Sequence, residues 1–260
     1  MTDQSIKFYH RAINNTVQNI RRVYVPVVRG TNSRIYIIET LDGTKTVFRF
    51  NSRQIAHRNY DISKVLRAQD IPVPEIDLHL YQGQYFETYP YISGQTFQEC
   101  LNMGMSKSEI LNTYAIMANQ IHKMLNVPLH NFQNIENKNC SSVAQSNVVH
   151  KSGLWSFGQC VKYGTKLLNT GKQHICHCDF TPRNIVLDNK KQLTILDLNA
   201  VSIANINFAL ALTGMSLRAN KLNPHEFYRV CDDIIPGQIQ PKRIDFTEQI
   251  CSLYFHGYRR

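Results

Sequence analysis

The spacing of apolar residues changes at Gly94, and this change constrains the fold more than any other feature of the sequence. Before Gly94, residues 21–50 contain three runs rich in β-branched and aromatic side chains, the composition typical of strands. A polar turn at residues 29–33 and the dipeptide Asp42-Gly43 separate the runs, and Asp-Gly between such runs indicates a hairpin. The first part of the chain is therefore predicted to be a sheet.

The rest of the N-terminal half adds one helix to this sheet. If the Asp-Gly dipeptide forms the turn, Arg49 is expected to lie opposite Tyr36. A helix is predicted over residues 55–69, and the prolines in residues 71–74 exclude a helix there. Apolar runs then resume up to Gly94.

The second half of the chain has the pattern of helices. Ser106 and Glu109 form a capping box at the start of an amphipathic helix. A second helix is predicted over residues 154–168, and residues 134–147 are expected to form a polar loop. Strands followed by helices predict an α+β fold. The apolar face of the first helix consists of Ile110, Tyr114, Met117, Ile121 and Met124.

Composition narrows the class of protein. The chain has 260 residues, of which 43% are hydrophobic and 18% charged, as in globular proteins. No stretch approaches the roughly 20 apolar residues that cross a bilayer. Residues 1–15 lack the apolar run and the cleavage site of a secretory signal. We therefore expect a cytoplasmic protein without a membrane span.

The cysteines point to reduced thiols. There are seven, an odd number, without the spacing of a disulfide framework. Cys176 and Cys178 flank His177, which is compatible with a zinc knuckle, but no second ligand pair with zinc spacing occurs elsewhere in the sequence.

The net charge of +10 favours anionic partners, from nucleotide phosphates to RNA. The basic residues are scattered instead of lying in a tail or alternating with aromatic residues along one helix. A nucleic-acid partner is therefore not expected, although a basic RNA-binding protein remains an alternative.

The octapeptide HCDFTPRN, residues 177–184, is a polar loop between apolar segments, as in many functional sites. The sequence NIVLDNKKQLTILD that starts at Asn184 predicts a hairpin with its turn near Lys190 and Lys191. Pairing Val186 with Ile195 would bring Asn184 opposite Asp197, so that their side chains share a face.

These side chains suit phosphoryl transfer. An amide oxygen and a carboxylate are hard ligands of the kind that Mg²⁺ takes, together with water and phosphate oxygens. Asp179, on the loop before Asn184, would then serve as the base that orients the attacking hydroxyl and accepts its proton.

The pattern His177-x-Asp179, followed by Asn184, a hairpin and Asp197, resembles the aminoglycoside phosphotransferase and choline kinase-like family. This resemblance implies a two-lobed protein-kinase-like fold, with a small N-terminal antiparallel sheet lobe and a larger helical C-terminal lobe. It also implies that Asp179 is the catalytic base, that Asn184 and Asp197 bind magnesium, and that His177 braces the catalytic loop.

The resemblance extends to the N-terminal half and implies an ATP site. Residues 1–91 would form the nucleotide-binding lobe, and residues 92–260 the catalytic and acceptor-binding lobe. The nucleotide-covering turn would lie at 30–33, the phosphate-binding cation would be Arg49 in place of the family's lysine, and residues 89–92 would form a hinge beside the adenine. The nucleotide-binding residues would be Gly30, Asn32, Ser33, Arg49, Tyr89 and Tyr91.

The chain also departs from the family's pattern on its first helix. In the family, a glutamate on this helix forms an ion pair with the phosphate-binding cation. Counted back from residues 71–74, the position of that glutamate falls at about Asn59 in this chain. The ion pair with Arg49 is therefore either absent or formed by Asp61. A catalytically impaired kinase-like nucleotide-binding module is therefore the alternative function.

The favoured function is ATP-dependent phosphorylation of a hydroxyl on a small molecule. An amino alcohol such as choline, a sugar and an aminoglycoside-like compound all stay open as acceptors. Acidic side chains in the C-terminal half are the candidates for binding a cationic acceptor: Glu226, Asp232, Asp233, Asp245 and Glu248.

Overall fold

The computed structural model describes residues 3–25, 34–139 and 171–257. The chain forms two compact units, Met1–Lys64 with Pro74–Ile92 and Val65–Val73 with Ser93–Arg260. The lobe boundary between residues 91 and 92 stays a prediction. The helix predicted over residues 154–168 lies outside the described residues.

The first unit contains a five-stranded antiparallel sheet with strand order β1-β2-β3-β5-β4. The three strand-like runs of residues 21–50 correspond to β1 to β3, so this prediction is confirmed. β4 and β5 form a further hairpin, in which Gln82 and Gly83 both have positive φ, as a tight two-residue turn requires. The strands are β1 (Ile20–Tyr24), β2 (Arg34–Thr40), β3 (Lys45–Phe50), β4 (Asp77–Tyr81) and β5 (Gln84–Pro90).

This unit also contains α1 (Asp3–Thr16) and all but the last three residues of α2 (Arg53–Arg67). The sequence analysis predicted α2 but missed α1. α1 packs one side of its helix on the sheet, because its apolar residues recur at helical spacing. The resulting core contains Tyr9, Ala12 and Ile13 of α1 with Tyr36, Ile38, Phe48, Phe50 and Phe86 of the sheet.

The register of the first hairpin differs from the prediction. Arg49 pairs with Ile35, and Tyr36 pairs with Phe48. The predicted pairing of Arg49 with Tyr36 is wrong by one residue, because the loop contains three residues, 41–43, instead of two. Arg49 therefore lies on the face of the sheet opposite to the one that α1 covers.

The second unit is mostly helical. The helices among its described residues are α3 (Phe97–Asn102), α4 (Lys107–Leu125), α5 (Leu129–Asn139), α6 (Ile206–Ala219), α7 (Pro224–Ile234) and α8 (Pro241–Gly257). An antiparallel sheet followed by a helical region confirms the predicted α+β class. None of the helices in the described part of the chain is both long enough and apolar enough to cross a membrane.

The predicted cap of α4 is confirmed. The Ser106 side chain accepts a hydrogen bond from the Glu109 backbone N–H, and the Glu109 carboxylate accepts one from the Ser106 backbone N–H. The predicted apolar face is buried apart from Ile110, which is half-buried.

The polar loop expected at residues 134–147 is wrong for residues 134–139, which continue α5. Phe132 and Ile135 are buried three residues apart, so this short apolar face packs on the core despite the polar residues around it. Residues 140–147 lie outside the described part of the chain.

Five short strands position the polar loop of the second unit: β6 (Gln95–Thr96), β7 (Gln173–His177), β8 (Ile185–Leu187), β9 (Leu193–Ile195) and β10 (Val201–Asn205). β7 pairs with β10, and β8 pairs with both β6 and β9. The loop of residues 178–184 therefore begins at the end of one buried strand and ends at the start of another.

Candidate active site

The loop begins at His177, whose ring uses both nitrogens. The Asp179 backbone N–H donates a hydrogen bond to Nδ1 at 3.2 Å, so Nδ1 carries no proton. Nε2 then donates to the Leu196 carbonyl at 2.9 Å. The buried imidazole is thus a neutral group that ties Asp179 to the residue preceding Asp197, as a bracing residue should.

Asn184 holds Asp179 from the other end of the loop. Its side-chain Nδ2 donates to the Asp179 carbonyl at 2.8 Å and to the Asp179 Oδ2 at 2.9 Å. A single turn of 3₁₀ helix, Pro182–Asn184, sets this geometry, with Pro182 at its first position. Because Nδ2 faces Asp179, the amide oxygen Oδ1 is directed away from that carboxylate.

The hairpin after Asn184 has a different register from the prediction. Val186 pairs with Thr194 and Ile185 with Ile195, so the predicted pairing of Val186 with Ile195 is wrong by one residue. The Asp188 side chain accepts hydrogen bonds from the backbone N–H groups of Lys190 (2.8 Å) and Gln192 (2.7 Å). These bonds favour a three-residue loop, and the extra residue shifts the pairing.

As a result, Asn184 lies opposite Leu196, and the predicted direct opposition of Asn184 and Asp197 is wrong. The Leu196 N–H donates to the Asn184 carbonyl at 2.7 Å, and Asp197 follows at the same end of the hairpin. Asp197 has φ 57° and ψ 62°, a left-handed conformation that is uncommon for residues other than glycine. Such strained residues cluster at functional sites.

The donor set of the loop fits magnesium better than zinc. Asp179, Asn184 and Asp197 are half-buried polar residues among buried apolar ones, and their side chains offer oxygen atoms, which Mg²⁺ prefers. Burial raises the pKa of the Cys176 thiol, which disfavours the thiolate that zinc requires. Within residues 3–25, 34–139 and 171–257, no cluster of three or more His, Cys, Asp or Glu side chains is arranged to hold a metal.

In the first unit, Arg49 is buried on β3 and lies directly opposite Glu87 of β5. The side-chain amides of Asn51 and Asn59 both donate to Glu87 Oε1, at 2.5 and 2.9 Å. Asn59 of α2 therefore faces the sheet. Among the described residues, Asp61 forms no ion pair with Arg49.

Of the other predicted nucleotide-binding residues, the structure describes Tyr89 and Tyr91. Tyr89 is half-buried on β5, opposite Val47, and the ring of Tyr91, which is 38% exposed, lies 5.8 Å from Lys45 Nζ. These assignments stay predictions. Gly30, Asn32 and Ser33 lie outside the described residues.

The candidate acceptor-binding acids differ in their surroundings. Glu248 is buried, and it contacts Arg218 Nη1 at 2.8 Å and the Tyr228 hydroxyl. Glu226 forms an ion pair with Lys107 at 3.1 Å. Glu248 is thus part of the packing between α6, α7 and α8, whereas Asp232, Asp233 and Asp245 are exposed.

Sequence analysis missed Glu87 and Asn51. Their signal was a carboxylate inside the otherwise apolar and aromatic strand YFETY and an amide at the end of the strand that carries Arg49. The pairing of β3 with β5, which brings the two together, joins segments almost forty residues apart and has no local signature.

The sheet unit and the helical unit with its HxDxxxxN loop define the fold of the aminoglycoside phosphotransferase and choline kinase-like proteins. An aminoglycoside-3'-phosphotransferase of type VIII matches with a TM-score of 0.70 and 12% identity, over 97% of this chain and 100% of that chain. The GDP complex of aminoglycoside 2'-phosphotransferase-IIIa matches with a TM-score of 0.65 and 15% identity, over 96% and 91%. A Plasmodium vivax ethanolamine kinase matches with a TM-score of 0.62 and 10% identity, over 98% and 81%.

At the level of sequence, no protein-family model matches the chain, and no curated protein matches it either. Identities of 10 to 15% establish a shared fold and nothing finer. The function must therefore be argued from the site.

Proposed function

We propose that this chain is a cytoplasmic ATP-dependent phosphotransferase that transfers the γ-phosphate to a hydroxyl group of a small molecule. The observation that carries the proposal is the double hydrogen bond from Asn184 to the carbonyl and the carboxylate of Asp179. These bonds would hold Asp179 in place as the base and leave the amide oxygen of Asn184 for another ligand, within a fold that aminoglycoside phosphotransferases and an ethanolamine kinase share.

In this proposal Asp179 accepts the proton of the attacking hydroxyl. Its backbone N–H is held by His177 and its carboxylate by Asn184, so the group is positioned before the acceptor binds. Fixing a base in advance removes part of the entropic cost of reaching the transition state. The role of His177 is to position Asp179, and as a neutral ring with both nitrogens bonded it transfers no proton itself.

Asn184 Oδ1 and the Asp197 carboxylate would hold Mg²⁺, which supplies charge neutralisation at the transferring phosphate when it is bound. Arg49 would bind phosphate oxygens as a permanent cation. Gly30, Asn32 and Ser33 would cover the phosphates, and Tyr89 and Tyr91 would lie beside the nucleotide base.

The acceptor class is best found by a direct screen. Ethanolamine, choline, hexoses and kanamycin cover the amino alcohol, sugar and aminoglycoside classes. Each is tested for acceptor-dependent release of nucleoside diphosphate, with ATP and GTP side by side, because one of the structural neighbours is a GDP complex. We expect diphosphate release only when one of these classes is present.

The role of Asp179 is tested by Asp179→Asn, which keeps the shape of the side chain and removes the carboxylate. We expect turnover to fall by about 10²- to 10⁴-fold while nucleotide affinity stays nearly unchanged. Asp188→Asn is the matched control, since Asp188 is a carboxylate in the neighbouring hairpin loop with a purely structural set of bonds. Equal turnover in Asp179→Asn and wild type would remove the base from the proposal.

The second candidate function, a nucleotide-binding module without catalysis, is favoured by one observation. Asn59 occupies the helix position where a glutamate is expected, and it donates a hydrogen bond instead of presenting a carboxylate to Arg49. Nucleotide binding with no diphosphate release across the whole acceptor panel, with and without Mg²⁺, would select this alternative.

A further inference from the structure

Glu87 lies in the interior of the first unit, with none of its surface exposed. A buried carboxylate is costly unless it is hydrogen-bonded and its charge is compensated. The amides of Asn51 and Asn59 supply hydrogen bonds to Oε1, but both are neutral groups. The position of Glu87 therefore calls for a cation.

The register of the sheet places a cation, Arg49, beside Glu87. Arg49 and Glu87 are paired residues of the neighbouring antiparallel strands β3 and β5, so their Cβ atoms lie about 4.5 to 5.5 Å apart on the same face. Arg49 is itself only 8% exposed. Asn59 reaches Glu87 from α2, which identifies this face as the one that α2 covers.

We propose that Glu87 is the positioning residue for Arg49. From strand β5 it would take over the role that the resemblance to the kinase-like family assigns to a glutamate on the helix corresponding to α2. This inference rests on the proposed function, in which Arg49 binds the nucleotide phosphates. In this chain the sheet provides the carboxylate, Glu87, and α2 provides an amide, Asn59, at the position where the family's glutamate is expected.

The chemistry of arginine explains how Arg49 could bind Glu87 and a phosphate at the same time. A guanidinium has five N–H donors arranged along two edges, so one edge can bind a carboxylate while another binds a phosphate. The strand pair fixes the backbone position of Arg49, and the amides of Asn51 and Asn59 hold the Glu87 carboxylate through Oε1. A lysine ammonium has a single nitrogen and lacks this division of edges.

The test is a double-mutant cycle on nucleotide affinity with wild type, Glu87→Gln, Arg49→Met and the double variant. Glu87→Gln keeps an oxygen for the two amide donors and removes only the charge. We expect it to weaken nucleotide binding about ten- to a hundredfold, because a misplaced phosphate-binding group loses its geometry. If Glu87 acts through Arg49, the double variant binds no more weakly than Arg49→Met alone.

A control and a rescue separate positioning from general damage to the unit. Glu39→Gln removes another buried carboxylate of the same sheet, one that pairs with Arg21 and Tyr24, and should leave nucleotide affinity unchanged. Adding Asn59→Glu to Glu87→Gln moves the carboxylate to the helix. We expect this double variant to recover at least part of the lost affinity, whereas a merely structural role for Glu87 predicts no recovery.

The outcomes are distinct. If wild type binds nucleotide and Glu87→Gln binds it equally well, the positioning role is overturned while the proposed function stands. If wild type binds no nucleotide, the proposed function fails, and the same four proteins are then compared by their urea unfolding midpoints. Non-additive effects of the two substitutions on the midpoint would show that Glu87 and Arg49 interact, although not to position a nucleotide. Additive effects would show that they do not interact at all.

Failure of Glu87→Gln to fold would also be informative. Removing one partner of a buried pair leaves an uncompensated charge, whereas removing both does not. The double variant Glu87→Gln/Arg49→Met should therefore fold better than Glu87→Gln alone. A double variant that folds worse than both single variants would show that the two charges do not compensate each other, and would overturn the inference.

Discussion

Two histidines of β7 show how differently the same side chain can be used. His177 accepts a hydrogen bond at Nδ1 and donates one at Nε2, so its ring is fully bonded and fixes the base and the segment before Asp197. His174 is also buried, but only its Nδ1 has a partner within the described residues, the Leu125 carbonyl at 3.2 Å. The first histidine stabilises the site, and the second makes the fold sensitive to acid.

The acid sensitivity leads to a prediction. Burial, partly opposed by the bond to the Leu125 carbonyl, lowers the pKa of His174 below its ordinary value of about 6.5. Its contribution to stability is therefore complete above the unfolded pKa and is lost as the pH falls from there towards the folded pKa. As the pH falls below about 6.5, we expect the free energy of unfolding to fall by up to about 1.4 kcal/mol per pH unit for this proton.

The measurement is urea unfolding across this pH range for wild type and His174→Gln, which cannot take up the proton. Burial also lowers the pKa of His79, so the variant should keep a smaller slope that His79 contributes. Identical slopes in the two proteins would show that His174 is not the source of the sensitivity.

At this scale, the sequence predicted the residues of the loop better than those of the sheet. His177, Asp179 and Asn184 lie within eight positions, so local spacing is enough to relate them. Glu87 is related to Arg49 only by strand pairing and to Asn59 only by helix packing, and neither relation is visible in a short window. A long-range contact of this kind depends on the tertiary fold.

At the scale of elements, both hairpins were predicted one residue out of register for the same physical reason. In each, the first residue of a five-residue segment pairs with the fifth: Thr40 with Thr44, and Asp188 with Gln192. The fourth residue, Gly43 or Lys191, has a positive φ of 85° or 60°. A type I turn followed by a left-handed residue gives a three-residue loop, which the Asp-Gly and Lys-Lys dipeptides did not reveal.

The shared geometry predicts opposite effects of substitutions at the fourth position. Lys191 occupies a conformation that costs residues other than glycine about 1 kcal/mol, whereas Gly43 occupies it without strain. Lys191→Gly should therefore raise the free energy of unfolding by about 1 kcal/mol relative to Lys191→Ala. Gly43→Ala should lower it by a similar amount, since its new Cβ would meet no atom within 4 Å and adds only backbone strain.

The alanine variant serves as the reference for Lys191 because both substitutions remove its exposed ion pair with Glu109 at 3.7 Å. The difference between the two variants then reports the backbone alone. Urea unfolding of the four proteins measures the effect, and equal stabilities of Lys191→Gly and Lys191→Ala would contradict the assigned turn.

The helices show the same division between local and tertiary signals. α4 was predicted from its capping box and its apolar spacing, both of which are local. The end of α5 was taken for a loop because it is polar, although two buried residues spaced by three hold it on the core. Packing on the core, and not helix propensity, decides such short helices.

For the molecule as a whole, the net charge of +10 is the property that sequence fixes without any knowledge of the fold. The positive electrostatic field of the protein raises the association rate of anionic ligands. Salt screens this field, so the rate enhancement is smaller at high ionic strength. The charge itself does not distinguish a nucleotide enzyme from an RNA-binding protein, because both bind phosphates. The two functions differ in how salt and competition act on them.

This difference gives a prediction for the intact chain. Raising the ionic strength from about 0.01 to 0.15 M shortens the screening length from about 30 to 8 Å, so the association rate of ATP should fall several-fold. The dissociation rate should change less, because it depends on contacts within the site. Adenosine, which carries no phosphate, is the matched control and should associate at a rate that salt barely changes, as stopped-flow measurements can determine.

Competition completes the test of the whole molecule. If the chain is a nucleotide enzyme, any RNA affinity should be weak, should fall steeply with salt and should be reduced by saturating ATP wherever the two ligands share Arg49. If RNA instead binds tightly at 0.15 M salt and ATP does not displace it, the positive surface serves nucleic acid. An equal salt dependence for ATP and adenosine would show that the field does not act on the phosphates at all.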